Sequence, residues 1–293
     1  MTPVGPYRLP GAGRDCVLVR RGRALARLLH VGDDQVLVHA WETSRGVRLR
    51  AEAPDQAAAT EGIERMRFAL GTDHDVSEFH ARFRRDPLIG PVIRTRPWLR
   101  PRRRPEPFEA LAWAVCEQLI ESRRASAIER RIVRRHGRRS ACGAYLAPPS
   151  AAFLAGRAPA ELDACGLAPK RTRALRRAAR EVAAGRVDWG DDRRLLAISE
   201  IGTWTVECLA LYGLGRLDVV PAGDLGYLKL VGRLSTGNPR AIADEDEVRG
   251  FFSAYAPYAG VAALYLSGSA RTLPALRPAG TRWSAGSPPR AAV

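Results

Sequence analysis

Between residues 195 and 231 the chain reads LLAISEIGTWTVECLALYGLGRLDVVPAGDLGYLKLV, a run that sets a helix break, a tryptophan and an aspartate at short spacing. Leu195, Leu196 and Ile198 form an apolar helix end that Ser199, Glu200, Ile201 and Gly202 interrupt. Gly202 is expected to supply the positive φ that a tight turn often needs. A second helix follows at once, because Trp204, Cys208, Leu211 and Tyr212 recur at steps of three and four. Thr203 and Thr205 fall in its first turn beside amides that have no partner inside the helix. Those amides and the helix dipole favour an anion such as a phosphate. Farther on, Asp224 precedes Leu225, Leu228, Leu230 and Val231. An aspartate there can cap a helix, and its carboxylate can also steady a developing cation or orient water. Asp218 reads as a loop or cap residue.

The elements that carry these residues are legible from the apolar pattern. CVLV, ALARLLH, QVLVHAW and GVRLR within residues 16 to 50 read as strands, separated by turn formers at Gly22 and Gly32-Asp33-Asp34. A helix is expected from Asp55 to Leu70, with Ile63, Met66, Phe68 and Leu70 making apolar contacts. Arg94 to Pro107 is rich in Pro and Arg and reads as a linker that cannot be regular helix. Beyond it Phe108, Leu111, Ala112, Val115, Cys116, Leu119 and Ile120 share one helical face, a buried stripe in which Leu119 is core by pattern alone. Helical segments follow at Ala125 to His136, Leu162 to Gly166 and Lys170 to Ala184. The tail from Pro274 is rich in Pro, Gly, Ala and Ser and is expected to be disordered. The fold class is α+β: a small antiparallel sheet-and-helix domain over 1–90, a linker at 91–107, a mainly helical core over 108–273 and a tail at 274–293.

On these residues the chain resembles the helix-hairpin-helix (HhH-GPD) glycosylase superfamily, and most closely its DNA-3-methyladenine glycosylase II family, over most of its length. In that family a Pro-Gly-Ile-Gly hairpin is followed by Trp-Thr, an apolar helix, and a Pro-rich loop ending in the catalytic Asp and a Leu. The matching residues are Ser199-Glu200-Ile201-Gly202, Thr203-Trp204-Thr205 and Pro221-Ala222-Gly223-Asp224-Leu225. Two hairpin positions depart from the pattern. Glu200 stands where the family has its first glycine, so either this position is not left-handed or strain is accepted, and a carboxylate comes near a phosphate site.

The resemblance implies a set of roles. Asp224 is the catalytic carboxylate, and Trp204, Leu225, Tyr258 and Tyr265 wall the base pocket. Gln118-Leu119 match a pair whose leucine enters the DNA stack where the damaged nucleotide has left, so that an apolar side chain helps offset the unstacking cost. Ile201, Gly202, Thr203 and Thr205 contact the DNA backbone, and Lys170-Arg171 match a Lys-Arg segment that begins a helix; a solvated basic face is the alternative for the latter. The carbonyls of Leu196, Ile198 and Ile201 match those that bind a monovalent cation, and no organic cofactor is implied. A further family Trp aligns near Ser267, which implies a wider or differently selective pocket.

Cleavage of an N-glycosidic bond passes through an oxocarbenium-like sugar that one carboxylate beside C1′ can stabilise. Methylation at N3 or N7 makes a purine cationic and already a good leaving group, so a second acid is not required. Bifunctional relatives carry a lysine where Trp204 stands, and its amine attacks C1′. The only lysines here are Lys170 and Lys229, so lyase activity by that route is not expected. An indole can stack on a cationic base, worth about 0.5 to 2 kcal/mol. The resemblance thus implies a monofunctional glycosylase for alkylated purines. A non-catalytic relative that recognises bent or damaged duplex and a glycosylase for deaminated or oxidised bases are the alternatives.

The formal net charge of +16 suits a polyanion partner, here double-stranded DNA containing alkylated bases, although an arginine-rich coding bias raises the same number. Arginines crowd residues 94–104, 123–139 and 171–180. The five cysteines are scattered and odd in number; Cys116 and Cys208 fall on apolar faces and read as buried, reduced thiols. No cysteine ladder for an iron-sulfur cluster occurs, and the five histidines lack metal spacing, His74 and His80 reading as surface residues of one helical segment. No apolar run is long enough to span a membrane, and the N-terminus lacks a signal-peptide layout. A monomer in the cytoplasm, associated with the nucleoid, is expected.

Overall fold

The computed structural model describes residues 2–267. The expected disordered tail lies outside them. Strands β1 (Leu18–Arg21), β2 (Ala24–Val31), β3 (Asp34–Thr43) and β4 (Gly46–Glu52) form an antiparallel meander in chain order. The register pairs Leu25 with Ala40 and Leu29 with Val36, which turns these apolar residues to one buried side. Helix α1 (Gln56–Leu70) starts on Asp55, whose carboxylate accepts from Ala58 N at 2.8 Å, and ends on a left-handed Gly71. It lies on the sheet through Met66 and Leu70, and Gly62 permits the approach, since a Cβ there would stand 2.5 Å from Val36 Cγ1.

Helices α2 (Ser77–Phe83) and α3 (Gly90–Thr95) belong to a different cluster. Phe79, Phe83, Ile89 and Ile93 pack with Tyr227, Leu230 and Phe252 near the other end of the described chain, so this packing crosses the boundary expected near residue 90. His74 precedes α2 rather than sharing a helix with His80, and both are half-buried. His80 Nε2 lies 2.7 Å from the Tyr265 hydroxyl, and burial lowers both imidazoles, His74 to about 4. Of the stretch read as a non-helical linker, Arg94 and Thr95 belong to α3 and Pro107 to the next helix, while 96 to 106 is non-helical and folded in place. Arg100 and Arg103 are buried; Arg100 donates to the carbonyls of Val4 and His74, and Arg103 to Phe68 O and Asp73. Arginine serves this role because its guanidinium carries several donors in one plane.

The second half is helical: α4 (Pro107–Glu117), α5 (Ser122–His136), α6 (Ala151–Gly156), α7 (Pro159–Asp163), α8 (Pro169–Ala183), α9 (Arg193–Leu196), α10 (Thr203–Cys208), α11 (Leu225–Thr236), α12 (Glu245–Ser253) and α13 (Ala259–Ser267). A two-strand bridge, β5 (Arg138–Arg139) with β6 (Leu146–Ala147), links α5 to α6. Helix α4 is central: every residue from Phe108 to Cys116 is buried, against α5, α8 and α10. The stripe expected on one face is therefore an all-round burial, and it ends at Cys116 rather than at Ile120, so Leu119 is not core. A π-helical turn (Leu209–Gly213) extends α10, and Gly213 lets it close on α4, because a Cβ there would lie 2.8 Å from Ala110 Cβ. Among the described residues no helix is long and apolar enough to cross a membrane.

Candidate functional site

The hairpin runs from α9 to α10, closed by Ile201 N donating to Ile198 O at 3.0 Å. The left-handed residue is Glu200, φ +72°, whereas Gly202 is extended at φ −109°, ψ −177°, contrary to the expectation that the glycine would turn the chain. A Cβ at positive φ costs about 1–2 kcal/mol. Two contacts oppose that cost: Gln118 Nε2 donates to Glu200 O at 2.6 Å, and the Glu200 carboxylate lies 3.7 Å from Lys170 Nζ. The buried Ile201 side chain anchors the turn. Gly202 and Thr203 are exposed at the start of α10, as a phosphate contact requires. Thr205 is only 1% exposed, and its hydroxyl accepts from Gln118 Nε2 at 2.9 Å, so it holds the hairpin from inside instead of facing a ligand. Ile201 likewise offers no side chain to solvent. The carbonyls of Leu196 and Ile201 accept no hydrogen bond among the described residues, while that of Ile198 is engaged by Ile201 N.

Across from the hairpin, α4 stops at Glu117, and Leu119 stands at φ +53° and fully exposed. Its loop is nevertheless fixed. Arg171, on α8, donates from Nη1 to Cys116 O and Gln118 O, both at 3.1 Å, which satisfies carbonyls that the helix end leaves open. Gln118 and Arg171 thus spend these donors inside the protein, in a positioning role the motif match did not foresee; Lys170 beside them is exposed. An exposed leucine on a left-handed backbone contributes nothing to burial and adds strain.

Asp224 caps α11, with Oδ1 accepting from Gly226 N at 2.7 Å, and Leu225 next to it is exposed. The loop before it is clamped to α10. Glu207 Oε2 accepts from Ala222 N at 3.1 Å while Glu207 Oε1 pairs with Arg249 of α12 at 2.8 Å. At Gly223 an added Cβ would stand 3.5 Å from Trp204 Cβ and 3.0 Å from Glu245 Oε1, so the glycine lets the loop lie against Trp204. Trp204 is half-buried and its indole Nε1 has no hydrogen-bond partner. Glu207 escaped the sequence reading; a lone glutamate between apolar helix positions was its only signal.

Between the sheet unit and the helical core lies a cleft of about 580 Å³, lined by Met66, Arg104, Trp113, Glu117, Glu129 and Tyr212 among others. The charge of Asp224 acts on Glu117, Cys208 and Tyr212 of its wall, and on Tyr227 outside it. Burial raises the Glu117 carboxyl, and burial followed by the neighbouring Glu117 pushes Glu129 up to about 8. The Tyr212 phenol is raised first by Tyr227 and then by burial, and the Cys116 and Cys208 thiols by burial, which keeps those thiols protonated and matches the expected buried, reduced state. Nearby, Arg104 joins Asp15 at 2.6 Å and Glu109 at 3.2 Å, and Arg27 of β2 pairs with Glu109, so a buried charge network ties sheet to core. Burial opposes the Asp15 anion, but Arg104 and Arg27 hold its carboxyl below the usual range. Glu117 and Glu129 were not singled out from the sequence, because only tertiary packing brings α4 and α5 together.

The two tyrosines expected in the pocket wall are elsewhere. Tyr265 is fully buried against Phe79, with its hydroxyl on His80 and on Leu99 O at 3.2 Å. Tyr258 packs its ring on Phe79 as well, 5.7 Å between centroids. Both serve the contact of α13 with α2, and like Trp204, Asp224 and Leu225 they stand outside the lining of the cleft. Ser267, at the aligned position of the family Trp, is exposed and donates its hydroxyl to Leu264 O at 3.0 Å. Among the described residues no group of three or more His, Cys, Asp or Glu could hold a metal ion.

Solved structures share this architecture. The chain is similar to the 3-methyladenine DNA-glycosylase from Archaeoglobus fulgidus, with 21% identity, a TM-score of 0.74 and coverage of 87% of this chain and 89% of that one. It is also similar to the 8-oxoguanine glycosylase/lyase from Clostridium acetobutylicum in complex with double-stranded DNA, with 15% identity, a TM-score of 0.69 and coverage of 88% and 89%. No family model matches the sequence, and no curated protein does. The fold is therefore that of the helix-hairpin-helix DNA glycosylases.

Proposed function

We propose that this protein is a monofunctional DNA glycosylase that extrudes alkylated purines of the 3-methyladenine and 7-methylguanine class from duplex DNA and hydrolyses their N-glycosidic bond. The observation that carries the reading is the Asp224 loop seated on Trp204, with Glu207 holding its backbone: a carboxylate and an aromatic face are brought to one place. Asp224 offsets the positive charge that develops on the sugar and orients water to C1′. Trp204 stacks on the cationic base. Leu119 fills the vacated stack, and the amides at Gly202 and Thr203, with Lys170 and the arginines exposed on α5 and α8, hold phosphates.

With tryptophan at position 204, Lys170 paired to Glu200 and Lys229 exposed on α11, no amine stands at the position that would form a Schiff base, so the product is an intact abasic strand. The free carbonyls of Leu196 and Ile201 fit a hard monovalent cation, which would add positive charge beside a bound phosphate. The enzyme acts as a monomer, in the cytoplasm at the nucleoid. Incubation with methylated duplex DNA and chromatography of the released purines tests the proposal: free 3-methyladenine and 7-methylguanine with uncut strands are expected. Tight duplex binding with no base released from alkylated, deaminated or oxidised DNA would make the protein a non-catalytic binding module instead.

A further inference from the structure

Three helices converge on the turn that presents Asp224. The turn, 221 to 224, is closed by Asp224 N donating to Pro221 O at 3.0 Å, and the Asp224 carboxylate then caps α11 through Oδ1. Its Oδ2 accepts no hydrogen bond among the described residues. These bonds are local and do not fix the turn against the tryptophan on α10. Two carboxylates do so from outside. Glu207, on the same helix as Trp204, accepts from Ala222 N with Oε2 at 3.1 Å and from Arg249 Nη2 with Oε1 at 2.8 Å. Arg249 of α12 donates from the same nitrogen to Glu245 Oε2 at 3.1 Å. The point that a Cβ on Gly223 would occupy is 3.0 Å from Glu245 Oε1 and 3.5 Å from Trp204 Cβ. Arg249 therefore joins two carboxylates that bear on consecutive residues of the turn.

The Glu207 side chain is 14% exposed, and Arg249 is the cation paired with it, so the buried carboxylate depends on that partner. The outer pairs of Arg249 are different. Glu245, at 3.1 Å, is 49% exposed and Asp246, at 3.7 Å, is 98% exposed, and ion pairs so open to water contribute little to stability. The network bears chiefly on where the turn lies. The start of α12 is itself fixed, because Asp244 and Glu247 cap it reciprocally, each bond 2.8 Å, and Ala243 N donates to Leu228 O at 2.9 Å on the helix that Asp224 caps. Helices α10, α11 and α12 thus form one frame around the turn, with Arg249 as the link between its two acidic contacts.

We propose that Arg249 is a positioning residue for Asp224, setting through Glu207 and Glu245 the place of the catalytic carboxylate relative to Trp204; the inference rests on the glycosylase reading. Without Arg249, Glu207 is left as a buried charge with no partner, which drives its side chain toward water. Ala222 N then loses its acceptor, and the turn is left to its own local bonds. Asp224 keeps its charge and its cap on Gly226 N. What it loses is a single place for Oδ2 relative to C1′ of a sugar whose base lies on Trp204. A misplacement of about 1 Å at a reacting group can lower a rate about 10²-fold, even when the substitution is far from the chemistry.

Three measurements test the assignment together: single-turnover release of 7-methylguanine, affinity for a duplex holding an uncleavable abasic analogue, and hydrogen exchange in the free protein. Arg249→Ala should lower release about 10²-fold while affinity stays within about twofold of wild type. Exchange should quicken over residues 219–224 while α10 stays protected. Arg249→Lys should recover part of the rate, since an ammonium restores the charge beside Glu207 but lacks the planar fork that holds two carboxylates. Glu207→Gln keeps the side-chain shape, should give the same split in smaller measure, and carries the test if Arg249→Ala does not fold. Release, affinity and the protection of α10 falling together would make Arg249 a structural tie between α10 and α12 and overturn the proposal. Release by Arg249→Ala at the rate of an active wild type overturns this inference alone. Release of no base by wild type overturns the glycosylase reading with it.

Discussion

At the rim formed by the hairpin and the α4 loop, Glu200 and Leu119 occupy left-handed backbone in full or partial solvent, and Leu119 offers an apolar side chain with nothing to cover it. In the cleft the backbone is regular, and the departure from ordinary packing is electrostatic: Glu117 and Glu129 line it together with an arginine that Asp15 and Glu109 already share. Each region keeps a feature that costs stability, and each is braced by neighbours, Gln118 and Arg171 at the rim, Arg104 and Arg27 in the cleft. Strain at an exposed site suits contact with a large partner that supplies the missing cover. Strain in charge suits proton and cation chemistry on a small group. The net charge of +16 speaks only to the first region, since the second is a local excess of carboxyl groups.

The sharpest separation of the two regions comes from Asp224→Asn. A neutral amide retains the cap on Gly226 N but cannot offset the sugar cation, so base release should fall about 10³-fold with duplex affinity little changed. Parallel losses of binding and release would merge the regions into one and move the catalytic role elsewhere. At the rim, Leu119→Ala should reduce capture of an extrahelical base about tenfold, yet alter denaturant-unfolding stability by less than about 0.5 kcal/mol, because the side chain is exposed in the free protein. A stability loss of about 2–5 kcal/mol would return Leu119 to the core.

The smallest effect is thermodynamic and belongs to the cleft. Glu129 has a folded-state pKa raised to about 8 by burial and Glu117, so its contribution is intact below the unfolded value and is lost as pH rises through the folded one. Between about pH 7 and 9 the wild type should lose about 1 kcal/mol from this source, and Glu129→Gln should lose less. Urea unfolding at the two pH values checks it; equal slopes for the two proteins would mean that the pair is not buried as described.

Much of this was legible in the residues themselves. The four strands, the helix after Asp55 and helices α4, α5 and α8 follow from apolar periodicity and turn formers, which act over a few residues and need no partner, whereas the helix read at Leu162 to Gly166 stands at Pro159–Asp163. Asp224 as a cap, the exposed start of α10 and the absence of a lysine at position 204 were readable for the same reason. Tertiary structure decided the rest. Gly202 has the freedom to turn left-handed, but Glu200 does so, because Gln118 and Lys170 reach it from other helices. Leu119 continues the α4 stripe in sequence, but Arg171 ends the helix before it by taking the carbonyls of Cys116 and Gln118. Tyr265 belongs to the core because α2 packs against it, and Glu117 meets Glu129 only where α4 lies on α5. Local pattern determines which segments can be helix or strand; which side chains meet, and where strain is held, depends on contacts between residues far apart in the chain.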